Sequence, residues 1–242
     1  MRAPLFSHIL DLVFPPLCPL CGRAVARGPI CPTCWAKARP IAGPVCIRCG
    51  IPVAFAQQGG DASAYRCQAC RQRSWAFDRA RSGYIFEGPV RDAIHLLKYQ
   101  GHTRIGTWLG KEMARVCNHL GDGCGDGVLV PVPLSVRRLR EREFNQSLML
   151  AKSLSAAFRL PLRPLLLERR GGSTPQVGLP PEDRWKNVRG AFGVRNDEGI
   201  RGRGVILVDD VFTTGATVNE CARVLKKAGA RRVEVWTLAR AV

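Results

Sequence analysis

Residues 205 to 217 read VILVDDVFTTGAT. Four apolar residues run without alternation, as in a central strand covered on both faces. Two adjacent carboxylates, Asp209 and Asp210, close the run. Like charges this close repel, and burial raises the penalty, so the pair needs a partner outside the core. In open α/β sheets ligands lie at the carboxyl ends of the strands, which is where these acids stand. Val211, Phe212, Thr213, Thr214, Gly215, Ala216 and Thr217 follow, and a helix is expected from there to about Ala228. Small residues at a helix start leave backbone N–H groups free, and these groups with the helix dipole attract phosphate. The threonine hydroxyls add donors. Carboxylates beside a phosphate cradle must face something neutral, and adjacent ribose hydroxyls qualify. The stretch reads as a ribose-5-phosphate site, with the sugar on Asp209 and Asp210 and the phosphate on residues 213–217. A turn or helix cap explains the acids alone, but not strand, acids, glycine loop and helix together.

Working outward, strand-like runs alternate with helix-like segments after about residue 78, the pattern of an α/β domain with a mainly parallel sheet. YIFE (84–87) reads as its first strand, and PVRDAIHLLKY (89–99) as a helix with Pro89 in the first turn. Residues 105–120 continue as helix, and GDGCGDG (121–127) is a loop. VLVPVP (128–133) is a strand, SLMLAKSLSAAF (147–158) an amphipathic helix, and PLLLER (164–169) a short strand. GGSTPQ opens a mobile-looking segment to about residue 188, and VRGAFGV and VEVWTLA supply later strands.

The first 78 residues have another character. Eight of the eleven cysteines form four C-x-x-C pairs, Cys18/Cys21, Cys31/Cys34, Cys46/Cys49 and Cys67/Cys70, separated by nine, eleven and seventeen residues. Two residues between thiols let one knuckle offer both sulfurs to a tetrahedral ion. A disulfide framework needs an oxidising compartment, and nothing here directs the chain to one. Redox C-x-x-C motifs are not expected in four consecutive copies outside a strand–helix pattern. Two closed, structural four-thiolate zinc sites are the reading. Sequential pairing, Cys18/21/31/34 then Cys46/49/67/70, closes shorter loops than an interleaved arrangement. AQQGGDASA (56–64) reads as a flexible tip in the second site. Cys117, Cys124 and Cys221 read as buried or incidental thiols.

The formal net charge is +18, from 37 basic and 19 acidic residues. That charge favours polyanionic partners: phosphates, nucleotides, nucleic acid or anionic lipid. No apolar run is long enough for a membrane span. Residues 5–14 read as a short amphipathic helix stopped by Pro15 and Pro16, not as a secretion signal. The expected location is cytoplasmic.

VILVDDVFTTGAT closely resembles the phosphoribosyl-pyrophosphate (PRPP) motif of type I phosphoribosyltransferases. The whole chain resembles the narrower ComF-type family associated with competence and DNA uptake. The likeness rests on the four knuckles, FEGPVRDAIHLLKYQG (86–101), VPVPLSVRRLREREFNQ (130–146) and TPQVGLPPEDRWKNVRGAF (174–192). The resemblance implies a double zinc ribbon with an N-terminal helix over residues 1–78 and a type I phosphoribosyltransferase domain over residues 79–242. It implies that the two acids hold the ribose 2′- and 3′-hydroxyls, and that Thr213, Thr214, Gly215, Ala216 and Thr217 hold the 5-phosphate. Arg137 and Arg138 stand where the family's pyrophosphate loop lies and are candidates for the leaving group, against the alternative of a solvated basic face. Lys98 either reaches phosphate or favours its helix C-terminus. Gln176, Arg184 and Asn187 fall in the segment expected to cover the site, against the alternative of an ordinary surface loop. Magnesium is expected on pyrophosphate and sugar, with the aspartates acting indirectly. The implied activity is phosphoribosyl transfer to a nitrogen acceptor; the alternative is a catalytically silent accessory that keeps PRPP or nucleotide binding and contacts single-stranded DNA and DNA-uptake proteins. Glu143 stands where the family has glycine before Phe-Asn-Gln, in a turn where φ > 0 is cheap for glycine alone.

Overall fold

The computed structural model describes residues 15–26, 28–53, 64–117, 127–170, 181–195 and 198–242. The expected helix over residues 5–14, most of the tip at 56–64, most of the loop at 121–127, Cys124 and Gln176 lie outside them.

Each cysteine tetrad ends on a short helix. Helix α1 (Pro32–Trp35) starts after Cys31 with proline in its first turn, and α2 (Gln68–Gln72) starts after Cys67. Strand β1 (Arg79–Ile85) leads into α3 (Gly88–Gln100) and α4 (Thr103–Cys117). Then come β2 (Val128–Pro131), α5 (Val136–Arg142) and α6 (Gln146–Phe158). Strand β3 (Leu167–Arg169), α7 (Pro181–Val188) and β4 (Phe192–Val194) precede β5 (Gly204–Phe212), α8 (Ala216–Lys227) and β6 (Arg232–Arg240).

The described sheet has the order β1-β6-β5-β2, with every pairing parallel. Strands β3 and β4 form a separate antiparallel pair. The unalternating VILV run does lie in the sheet interior, where its side chains feed both faces. Val205 and Leu207 join the apolar cluster of α8 and the β3–β4 pair, while Ile206 and Val208 join that of α3, α4 and α6. The cysteine segment is not appended to this core. Cys46, Cys49 and Cys70 are buried in the first cluster, and Cys18 and Cys31 in the second.

Three elements depart from the sequence reading. The first strand starts at Arg79, not Tyr84, because its polar residues find partners. The Arg79 guanidinium donates to both Glu234 carboxylate oxygens at 3.2 Å, and Arg81 donates to the Ala80 and Ile47 carbonyls at 2.8 and 3.2 Å. The basic stretch after VPVP is helix α5, started by Ser135, whose hydroxyl accepts from the Arg138 N–H at 3.3 Å. The segment read as mobile to residue 188 ends in α7, whose Trp185 packs against Trp75 with ring centroids 5.6 Å apart.

Helices α4 and α6 cross closely. A β-carbon on Gly110 would come within 2.4 Å of the Ser153 hydroxyl, so only glycine fits there. That contact fixes α6, whose first turn supports the acids described next.

Candidate functional site

A cavity of about 310 Å³ opens at the carboxyl ends of β2 and β5. Asp209 and Asp210 form part of its lining, with Lys98 from α3, Arg138 from α5 and the loop that starts α8. Residues from three separate stretches thus converge where the parallel sheet places a ligand.

The acid pair is unequal. The Asp209 carboxylate accepts from the Ser147 hydroxyl at 2.8 Å and from the Asp210 N–H at 2.9 Å. Burial, and then the neighbouring Asp210 charge, push its carboxyl up to about 7. Asp210 is 5% exposed. Burial opposes its ionisation too, but the Lys98 ammonium forms an ion pair with it and holds the carboxyl below the usual range. The Gln146 amide donates to Asp210 at 3.4 Å. Ser147 and Gln146 sit at the start of α6, whose cap is Asn145, accepting from Ser147 and Leu148 N–H groups.

The loop also takes its expected shape. Gly215 is the residue before α8 and has φ 77°, a left-handed conformation that strains any side chain. A β-carbon there would come within 2.6 Å of Phe212 and 2.7 Å of Trp75. The backbone is therefore held against two aromatic rings. Thr213, Gly215, Ala216 and Thr217 line the cavity, and the first-turn amides of α8 have no acceptor within their own helix. The Thr214 hydroxyl accepts from the Ala216 N–H at 3.4 Å and is not among the lining groups.

The arginines divide. Arg138 lines the cavity, whereas Arg137 is directed to Glu141 at 2.7 Å, is largely exposed, and does not line it. Arg142 and Arg169 line it as well, and the sequence reading missed both. Arg169 follows Leu167 on β3 by two residues, so strand alternation turns it to the same inward side. Its guanidinium lies 5.3 Å over the Phe192 ring. Burial, then the Arg138 charge, lower its affinity for its proton. Asn187 lies on α7 and is not among the lining residues; Arg184 is on the same helix.

Glu143 ends α5 with φ 65° and ψ −8°. The position does demand the left-handed conformation, and the chain adopts it with a non-glycine residue, at a cost of about 1 kcal/mol.

The cysteines assemble as two tetrads, Cys18/21/31/34 and Cys46/49/67/70, with the sulfurs of each within 4.8 Å of one another. Sulfur–sulfur separations of 3.7 Å occur for Cys21–Cys31 and Cys49–Cys67. A tetrahedron with metal–sulfur distances of about 2.3 Å has edges of about 3.8 Å, so both tetrads fit zinc. Backbone N–H groups of Cys31 and Cys67 point at Cys18 and Cys46 sulfurs at 3.4 Å, as suits thiolates. Cys117 and Cys221 are buried in the two cores. No helix among the described residues is long and apolar enough to cross a membrane.

Residues 9–71 match the family model of a double zinc ribbon domain, and residues 145–241 that of a phosphoribosyl transferase domain. The chain is 31% identical over 234 residues to DNA utilization protein YhgH of Escherichia coli (strain K12), spanning 95% of this chain and 99% of that one. It is 28% identical over 229 residues to competence protein F of Haemophilus influenzae, spanning 90% and 93%. It is 30% identical over 215 residues to competence protein ComFC of Bacillus subtilis, spanning 87% and 84%.

Proposed function

The chain belongs to the ComF family, in which a double zinc ribbon precedes a phosphoribosyl transferase domain, and from that premise we propose that its cavity binds PRPP and transfers the phosphoribosyl group to a nitrogen acceptor. The observation that carries this reading is the convergence of Asp209, Asp210, Thr213, Gly215, Ala216, Thr217 and Arg138 on one cavity. The acids accept hydrogen bonds from the two ribose hydroxyls. The loop amides and the Thr213 and Thr217 hydroxyls receive the 5-phosphate. Arg138, with Arg142 and Arg169 beside it, meets the pyrophosphate; Arg137 and Gln176 remain candidates for it once the cavity is covered.

In the reaction the bond from the anomeric carbon to pyrophosphate breaks with its electron pair on the leaving oxygen. The acceptor nitrogen forms the new bond and gives up a proton. No covalent enzyme intermediate is needed. Rate comes from alignment and from cations placed where charge develops. Lys98 is tied to Asp210. A ribose hydroxyl reaching Asp210 displaces it, leaving its ammonium for the pyrophosphate. Magnesium, when bound with the pyrophosphate, would supply further charge neutralisation; both carboxylates have protein partners, so neither is assigned to the ion.

The proposed division is a zinc-ribbon unit over residues 1–78 and a transferase unit over residues 79–242. The proposed compartment is the cytoplasm, where thiols stay reduced. Isothermal titration with PRPP and magnesium, then pyrophosphate release across a panel of bases and amines, tests the function. Asp209→Asn with Asp210→Asn is expected to abolish both signals, and unchanged binding in that variant overturns the reading.

The net charge of +18 favours a second role, contact with single-stranded DNA during uptake. Such contact should weaken steeply as salt rises. It should also survive the double aspartate substitution if the cavity is not the DNA site.

A further inference from the structure

We propose that Trp75 and Arg240 are positioning residues that tie the second cysteine tetrad to the loop 213–217, so that zinc in that tetrad and phosphate on the loop strengthen each other's binding. This rests on the phosphate reading of that loop.

Two struts run from one knuckle. In the first, Arg48 lies between Cys46 and Cys49, and its guanidinium donates to the Trp75 carbonyl at 2.8 Å. The Trp75 ring stands 4.9 Å from Phe77 and 6.2 Å from Phe212 between centroids. It also forms the wall behind Gly215, where a β-carbon would meet it at 2.7 Å. The next residue, Ala76, donates its N–H to the Asn219 side chain on α8 at 2.8 Å.

In the second strut, Arg240 at the end of β6 donates to the Cys49 carbonyl at 2.6 Å and to the Cys49 sulfur at 3.4 Å. It is 5% exposed. Its guanidinium lies 4.3 Å over the Phe212 ring, its register partner on β5. Phe212, which starts the loop, is thus held by a tryptophan and an arginine that are both anchored on the Cys46–Cys49 knuckle.

A buried guanidinium needs a charged or polar acceptor, and a zinc-bound thiolate is a stronger one than a thiol. A tetrahedral ion fixes the knuckle, and its loss releases four thiols and the turn they close. Trp75 and Arg240 then lose their anchor, and the loop amides lose the wall that aligns them. Linkage makes the effect reciprocal: whatever zinc does for phosphate, phosphate does for zinc. The first tetrad has no comparable connection among the described contacts. Its Trp35 donates to Glu112 on α4 at 3.2 Å.

The test uses the full chain loaded with two zinc ions, ribose 5-phosphate as the probe, and a coloured chelator that reports zinc release. Ribose 5-phosphate is expected to raise the affinity for one zinc equivalent, read by equilibrium competition with the chelator, at least about fivefold and leave the other unchanged. Trp75→Ala and Arg240→Gln, still carrying two zinc ions, are expected to weaken ribose 5-phosphate about tenfold and to remove the protection. Trp75→Phe should restore most of both. Should either severe variant fail to fold, Trp75→Leu and Arg240→Lys decide by smaller shifts in the same two readouts. Equal protection of both ions, protection of neither, or wild-type affinity in the variants overturns the proposal. If the wild type binds neither ribose 5-phosphate nor PRPP, the phosphate reading falls and takes this inference with it; if it binds but protects no zinc, only the inference falls.

Discussion

The first tetrad backs onto aromatic packing on the α3–α4 side of the sheet. Trp35 meets the rings of Tyr84 and Trp108 edge-on at 5.3 and 4.5 Å, and its N–H and the Tyr84 hydroxyl share Glu112. The second tetrad backs onto Phe77, Phe212 and Arg240 at the carboxyl ends of the central strands. The two offer the same four sulfurs and the same C-x-x-C turns. They differ in what lies behind them. One braces a helical face, and the other braces the rim of a ligand cavity. A ligand motif fixes the metal, while its neighbours decide what the metal is for.

The largest expected effect tests that difference directly. Cys18→Ser and Cys46→Ser should each lose one zinc ion and lower the melting temperature by about 10 °C or more. PRPP affinity should separate them, with a loss of about thirtyfold or more for Cys46→Ser and under about threefold for Cys18→Ser. Equal losses in titration calorimetry would break the comparison. Glu112→Ala comes next. It leaves the Trp35 N–H and the Tyr84 hydroxyl without their shared acceptor, at about 2–3 kcal/mol. Denaturant melts should show that cost while PRPP affinity stays unchanged.

On the cavity side, pH sharpens the contrast. The Asp209 carboxyl is raised to about 7 by burial and by Asp210. The unfolded carboxyl ionises near pH 4. Between these values the folded state binds more protons than the unfolded one, so this group's contribution falls as pH rises. Asp209→Asn removes that penalty. Its melting temperature should exceed that of the wild type at pH 8, with the gap closing toward pH 4. A gap that is constant with pH would mean that Asp209 is an ordinary carboxylate. The smallest effect concerns Glu143, where glycine should add about 1 kcal/mol by relieving the left-handed backbone. A loss of stability on Glu143→Gly would show that the glutamate side chain compensates for its strain.

The features legible in the sequence are local ones. The acid pair, the glycine loop and each C-x-x-C turn are written within a few residues, and the structure brings the acids, most of the loop and Arg138 to one cavity. The groups that support them are not local. Ser147 and Gln146 reach Asp209 and Asp210 across 62 and 64 positions, and Arg240 reaches Cys49 across 191. No short-range pattern announces such pairs. The misplaced start of β1 has the same origin, since Arg79 pairs with Glu234, 155 positions away. Helix α5 was hidden for another reason: VRRLRER lacks an apolar face, and its buried residues number none. Its start signal was nonetheless present in Ser135.

The contact between Lys98 and Asp210 gives the resting cavity a tenant of its own. On the proposed reading, arrival of a sugar is an exchange: one tethered amine leaves as two hydroxyls enter. Affinity would then record the difference between two occupants of the Asp210 carboxylate, and the departing amine would be delivered toward the most anionic end of the newcomer. A chain without that amine would leave the buried Asp210 carboxylate with the Gln146 amide and without its ion-pair partner.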